Sequence, residues 1–139
     1  MNLYLSIFKN SKLIRFSRWG KNVPLPEGLL MSAVIEIEGQ EFILLNGGPY
    51  FHFSEGISLF INCETQEEID FLWEKLSKDG EEQMCGWLKD KFGVSWQIIP
   101  SRLENMINDP DPIKSSNVTQ AMLQMKKMNI KALEEAYHS

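Results

Sequence analysis

The chain is 139 residues long, 43% hydrophobic and 24% charged, with a formal net charge of −5. One domain is the default at that length, and it suffices to bury a proper core. The acidic balance gives no field for nucleic acid or anionic lipid, and no apolar run approaches the roughly 18 residues of a membrane span.

Leu3, Tyr4, Ile7 and Phe8 have helical spacing, and Lys9-Asn10-Ser11 reads as a turn. The first residues lack a basic n-region and a small-residue cleavage site, so they are not read as a signal peptide. Leu13 to Trp19 reads as a strand, and Gly20 to Gly28, with two prolines and two glycines, as a loop. Ser32 to Glu38 alternates in part. Glu38-Gly39-Gln40-Glu41 is then a hairpin turn into Phe42 to Leu45. Asn46-Gly47-Gly48-Pro49 ends that strand, because glycines admit positive φ and proline cannot donate to a ladder.

Ile57 to Cys63 reads as a strand with Ile57, Leu59, Ile61 and Cys63 on one face and Ser58, Phe60 and Asn62 on the other. Thr65 with Glu68 three residues on is a capping box that starts a helix. Ile69, Leu72, Trp73 and Leu76 form its apolar stripe, and Gly80 reads as its left-handed stop. Glu82 to Leu88 and Val94 to Ile99 are predicted strands around a Lys89-to-Gly93 turn. Beyond Pro100 the pattern is helical. Leu103, Met106 and Ile107 mark one helix, Val118, Ala121, Met122 and Met125 a second, and Asn129 caps a third carrying Ile130, Leu133 and Tyr137. Lys126 and Lys127, the only adjacent basic pair, fall on a solvated helix face in this reading. Met122, Met125 and Met128 read as core filling.

Chemistry-bearing residues are few. Cys63 and Cys85 cannot build a disulfide framework and fit a reduced, cytoplasmic protein with buried thiols. The histidines are His52 and the penultimate His138, so no two-histidine zinc spacing exists. His52, in Tyr50-Phe51-His52-Phe53 with Glu55 nearby, is a base or lone ligand in one reading and a loop histidine between aromatics in the other. There is no Gly-x-Ser-x-Gly elbow, no phosphate-binding glycine loop and no nucleotide-binding glycine fingerprint.

Several blocks in order carry a resemblance. They are Ser6 to Ser11, Asn46-Gly47-Gly48-Pro49, Cys63 to Asp70, Cys85 to Pro100, Asn108-Asp109-Pro110-Asp111-Pro112 and Ala121 to Lys127. Together they resemble the PhnB-like, 3-demethylubiquinone-9 3-methyltransferase-like branch of the glyoxalase/bleomycin resistance/dioxygenase superfamily, the vicinal oxygen chelate fold. The resemblance implies an α+β architecture of two βαβββ modules, the first lacking its opening strand, with curved mixed sheets around a shared cleft and a C-terminal helical tail. One domain then spans 1–139, with the modules over 1–49 and 56–100 and the tail over 101–139. It also implies a homodimer, and an incomplete first module leaves a sheet edge to cover.

Metal-dependent members of the superfamily use inner-face histidines and glutamates. The positions the resemblance assigns to them hold Ser58 and Gln97, and no carboxylate occurs from Leu44 to Asn46. No metal site and no cofactor is therefore expected. The methyltransferase label would need a glycine-rich nucleotide turn, and Gly47-Gly48 is a lone pair. What remains is a face of Ser58, Phe60, Asn62, Ser95 and Gln97, with His52 beside it, fit for a small-molecule pocket. The expected function is small-molecule binding in the cleft without a metal, with no catalytic residue assigned. The alternatives are an enzyme of the same superfamily (lyase, dioxygenase or methyltransferase-like) or a dimeric interaction module.

Overall fold

The computed structural model describes residues 1–139. They form two compact units, Met1–His52 and Phe53–Ser139. The first unit holds α1 (Asn2–Ile7), β1 (Ser11–Arg18), β2 (Leu30–Ile37) and β3 (Gln40–Leu45). α1 buries Tyr4 and Ile7 and ends where Phe8 turns extended. Ser11 Oγ donates to the Phe8 carbonyl at 2.6 Å and fixes the entry into β1. The sheet runs β1-β2-β3, antiparallel throughout.

Register assigns the faces of this sheet. Leu13, Ile35 and Phe42 share one rung, and Phe16, Ala33 and Leu44 another on the same face. A bulge at Ile14 shifts the pairing, so Arg15 lies beside Val34 and Ile43 on the opposite face. The β2–β3 turn is as predicted. Glu38 (φ 48) and Gly39 (φ 81) are both left-handed, the primed geometry that matches strand twist. β3 has β2 on one side and no strand on the other.

The second unit holds β4 (Leu59–Cys63), α2 (Gln66–Ser77), β5 (Glu81–Glu82), β6 (Trp87–Lys89) and β7 (Ser95–Pro100). Its order is β4-β7-β6-β5, with β4 parallel to β7 and the other pairs antiparallel. α2 begins at the predicted capping box: Thr65 Oγ accepts from Glu68 N at 3.2 Å, and the Glu68 carboxylate accepts from Thr65 N at 3.3 Å. Ile69, Trp73 and Leu76 are buried on α2, while Leu72 is half-buried. They meet a sheet face on which Leu88 and Ile98 are fully buried. Burial of that kind stabilises by about 1.5–3 kcal/mol per large side chain.

Several sequence expectations change here. Ile57 is not on the apolar face of a strand: β4 starts at Leu59, and Ile57 is 80% exposed in the preceding loop. Val94 lies in the turn before β7 and is half-buried. Glu82 to Leu88 is not one strand, because Cys85 (φ 58) and Gly86 (φ 78) break it. The break is held from afar. Cys85 N donates to the Met125 carbonyl at 2.7 Å and Gly86 N to that of Lys126 at 2.8 Å. Gly80 is not the left-handed residue after α2; Asp79 is, at φ 60. Gly80 is required for room instead, since a Cβ there would stand 2.1 Å from the Lys89 carbonyl oxygen.

The tail forms α3 (Leu103–Ile107), α4 (Pro112–Leu123) and α5 (Ile130–Tyr137). Asp111 caps α4 and Asn129 caps α5, each accepting from a first-turn N–H. Lys126 and Lys127 lie between α4 and α5, not on a helix, and Lys127 pairs with Asp70 at 2.6 Å. Gln66 of α2 fastens this connection, donating to the Met128 carbonyl at 3.0 Å and accepting from Ile130 N at 2.9 Å. Met128 is fully buried, as core filling requires; Met122 and Met125 are half-buried. No helix is long and apolar enough to cross a membrane.

Candidate functional site

The second sheet has one face committed to α2. The other face is read from register. Phe60 on β4, Gln97 on β7 and Trp87 on β6 form one straight rung. Ser95 and Lys89 form the rung toward the start of β7, and Asn62 stands beside Ile99 on the rung toward its end. Strand spacing separates Phe60 from Trp87 by about 10 Å, with the Gln97 amide between them.

Gln97 Nε2 donates to Ser58 Oγ at 2.8 Å. Ser58 precedes β4, so this bond joins the incoming loop to the central strand of the rung. Gln97 is half-buried, and its carbonyl oxygen has no protein partner. Ser95 is 2% exposed, and its hydroxyl is buried without a partner. Such a group costs about 1–3 kcal/mol unless something bonds to it. Phe60 is 54% exposed on a face where its neighbours are polar.

Of the residues expected to line a pocket, Phe60, Ser95 and Gln97 gather on adjacent rungs, and Ser58 reaches Gln97 from the loop before β4. Asn62 shares their face one rung away and is exposed. His52 is the last residue of the first unit and is exposed, as are Phe51 and Phe53 on either side of it. It is therefore not a histidine packed between aromatics. Sequence reasoning missed Trp87 and Lys89. Trp87 and Lys89 flank the buried Leu88, so strand alternation turns both to the opposite, Gln97 face, and the apparent continuity of Glu82 to Leu88 hid that period.

Lys89 does not offer a free charge to this face. Its Nζ pairs with the Glu55 carboxylate and reaches that of Glu81 at 3.7 Å. The hydrogen bond from Lys89, and after it that from Gln83, holds the Glu55 carboxyl below its usual range. The same bond to Glu55 raises the Lys89 ammonium. Cys63 is no nucleophile at neutral pH: burial first, then Glu68 and Glu64, push its thiol up to about 12.

The donor chemistry on this face does not fit a divalent metal. A serine hydroxyl and a glutamine amide already bonded to each other are weak ligands. Within either unit no three histidine, cysteine, aspartate or glutamate side chains converge on one point. Elsewhere, an open groove of ≈ 400 Å³ lies in the first unit, lined by residues including Lys9, Lys12, Glu36 and Glu38. Lys12 pairs with Glu36 at 3.0 Å and Asn10 donates to Glu38 at 2.9 Å, so both of its carboxylates are already bonded.

A family model described as 3-demethylubiquinone-9 3-methyltransferase matches residues 1–99. A solved Bacillus cereus PhnB protein that carries the same methyltransferase name is 38% identical, covering 73% of this chain and 88% of that one, with a TM-score of 0.67. Protein PA1353 from Pseudomonas aeruginosa is 21% identical, covering 70% of this chain and 83% of that one, with a TM-score of 0.56. At that identity it speaks to the fold alone. No curated protein matches the chain.

The methyltransferase name implies a methyl-donor cofactor, and the residues present do not fit a nucleotide-linked one. At the α2 N-terminus, which follows a parallel strand, the N–H groups of Glu68, Thr65 and Glu64 are already bonded to the Thr65 and Glu68 side chains. Glu67 and Glu68 add negative charge where an anion would sit. Gly48 lies in an exposed loop where a Cβ would touch only Tyr50, so no close backbone approach depends on it.

Proposed function

This chain belongs to the 3-demethylubiquinone-9 3-methyltransferase family, of PhnB-like type and vicinal-oxygen-chelate fold, and we propose that it binds a small molecule on the Gln97 face of its second sheet. The observation that carries this reading is the rung Phe60–Gln97–Trp87, an amide between two aromatics, with the Gln97 carbonyl oxygen and the Ser95 hydroxyl left unpartnered beside it. Binding sites are mostly apolar with a few polar groups that orient the guest. The face supplies that mixture without anionic metal ligands. Two free cysteines fit a cytoplasmic setting.

A thermal-shift screen of uncharged small molecules tests this. Hits should raise the melting temperature of the natural protein and lose that effect in Gln97→Ala, whose own fold persists. Hits that stabilise Gln97→Ala equally would remove the site from this face.

A second reading, assembly with another copy, is favoured by the edge of β3. That strand is unpaired on one side and exposes Ile43 at 72% and Leu45 at 71%. Such an edge is a pairing surface unless covered. Light scattering should then show a dimer that Ile43→Lys converts to monomer.

A further inference from the structure

The chemistry of the Gln97 rung narrows the guest beyond binding as such. We infer that the face selects a flat, uncharged ring bearing a hydrogen-bond donor, and rejects anions; this rests on the binding reading above. Phe60 and Trp87 flank Gln97 on one rung. Their separation of about 10 Å leaves room for a ring of roughly 3.5 Å thickness to lie against an aromatic wall, the arrangement that offset stacking favours.

The polarity of the amide sets the second requirement. Gln97 Nε2 is committed to Ser58 Oγ at 2.8 Å. One N–H of the amide and its carbonyl oxygen remain, and the oxygen, which carries no bond, accepts. A guest must therefore donate to satisfy it. An ether or ketone in the same place would set oxygen against oxygen.

Charge sets the third requirement. The only cation on the face is Lys89, and two carboxylates, Glu55 and Glu81, stand on it. The local sum is one negative charge, within a chain of net charge −5. A carboxylate or phosphate would be repelled, and no free ammonium is present to offset its lost hydration.

Three naphthalenes separate these requirements. 2-Naphthol is flat, neutral near pH 7 and donates; 2-methoxynaphthalene has the same ring and no donor; 2-naphthoate is the anion. Titrated into the full chain and followed by NMR at the Trp87 indole N–H, 2-naphthol should bind about fivefold or more tighter than 2-methoxynaphthalene, the worth of one net hydrogen bond. 2-Naphthoate should bind weakest.

In Gln97→Leu the naphthol preference should vanish while 2-methoxynaphthalene keeps its affinity. Ser58→Ala, a change at the loop before the sheet, is the second variant. It frees the amide N–H₂ to turn toward the guest, so 2-methoxynaphthalene should gain on 2-naphthol. Equal binding of naphthol and its ether to the natural protein would overturn the donor requirement and leave the site standing. Tightest binding by 2-naphthoate would overturn the exclusion of anions. If none of the three binds, the ring class is wrong; the thermal-shift screen then decides separately whether the face binds anything.

Discussion

The two sheets share a three-strand antiparallel pattern and differ at its edge. β1-β2-β3 in the first unit repeats the order β5-β6-β7 of the second. In the second unit β4 adds a parallel strand against β7. In the first, the corresponding side of β3 is open, and Ile43 and Leu45 face outward. The central strand of the second unit is thus paired on both sides. Gln97 stands on that strand, fixed at its backbone by two ladders and at its side chain by Ser58. A binding group needs that kind of preorganisation. The first unit presents apolar surface without it, which suits pairing better than recognition.

The contrast can be broken most severely where backbones touch. Gly80→Ala puts a Cβ 2.1 Å from the Lys89 carbonyl oxygen, and neither backbone can yield without parting β5 from β6. A loss of about 3 kcal/mol or more is expected by urea unfolding. Gly39→Ala in the first unit meets nothing within 4 Å and suffers only its left-handed φ of 81°. It should cost about 1–2 kcal/mol. Similar costs for the two would mean that the second unit is no more tightly built than the first.

Asp90→Ala should cost about 2–4 kcal/mol. The carboxylate is buried and accepts from Phe92 N at 2.9 Å, Val94 N at 3.1 Å and Trp96 Nε1 at 3.0 Å, so the change strands three donors under the β6–β7 turn. Because that turn sets the register of Gln97 against Trp87, guest binding should fall with it. Ile43→Ala, at a side chain 72% exposed, should stay within about 0.5 kcal/mol in the monomer. A large loss there would show that the exposed face of the first sheet is already covered.

The smaller effects concern titration. The Glu55 carboxyl is held below its ordinary value, chiefly by its bond from Lys89. A depressed carboxylate contributes stability that is complete above the unfolded value and is lost as pH falls through the folded one. The melting-temperature gap between the natural protein and Glu55→Gln should therefore be small near neutrality, vanish in acid, and shrink with added salt. A gap that widens in acid would contradict the sign. Thiol labelling near pH 8 should spare Cys63, whose thiol is pushed up to about 12, until the protein is unfolded.

Local signals in the sequence carried far. The Thr65–Glu68 capping box, the Asn129 cap and the Glu38-Gly39 hairpin turn each place their decisive atoms within a few residues, and each was legible. What was not legible depends on distant partners. Gly86 alone hints at the break, and what holds it, the Met125 and Lys126 carbonyls, lies about 40 residues on. The missed strand break concealed Trp87, which completes the aromatic rung. Ile57 continues the alternation of β4 on paper, yet the strand begins only where β7 can pair with it, at Leu59 opposite Trp96. Ser58, Phe60, Ser95 and Gln97 were recoverable from a period of two; the direction of the Gln97 amide, which sets the chemistry of the guest, was not.

Native mass spectrometry of the freshly purified protein, beside the Gln97→Ala variant, tests the central claim most directly. The expected result is a small-molecule adduct on the natural chain that the variant lacks, released on denaturation as an uncharged compound. An adduct retained in equal amount by Gln97→Ala, or a stoichiometric divalent metal in its place, would contradict the assignment of the Gln97 face as the binding site.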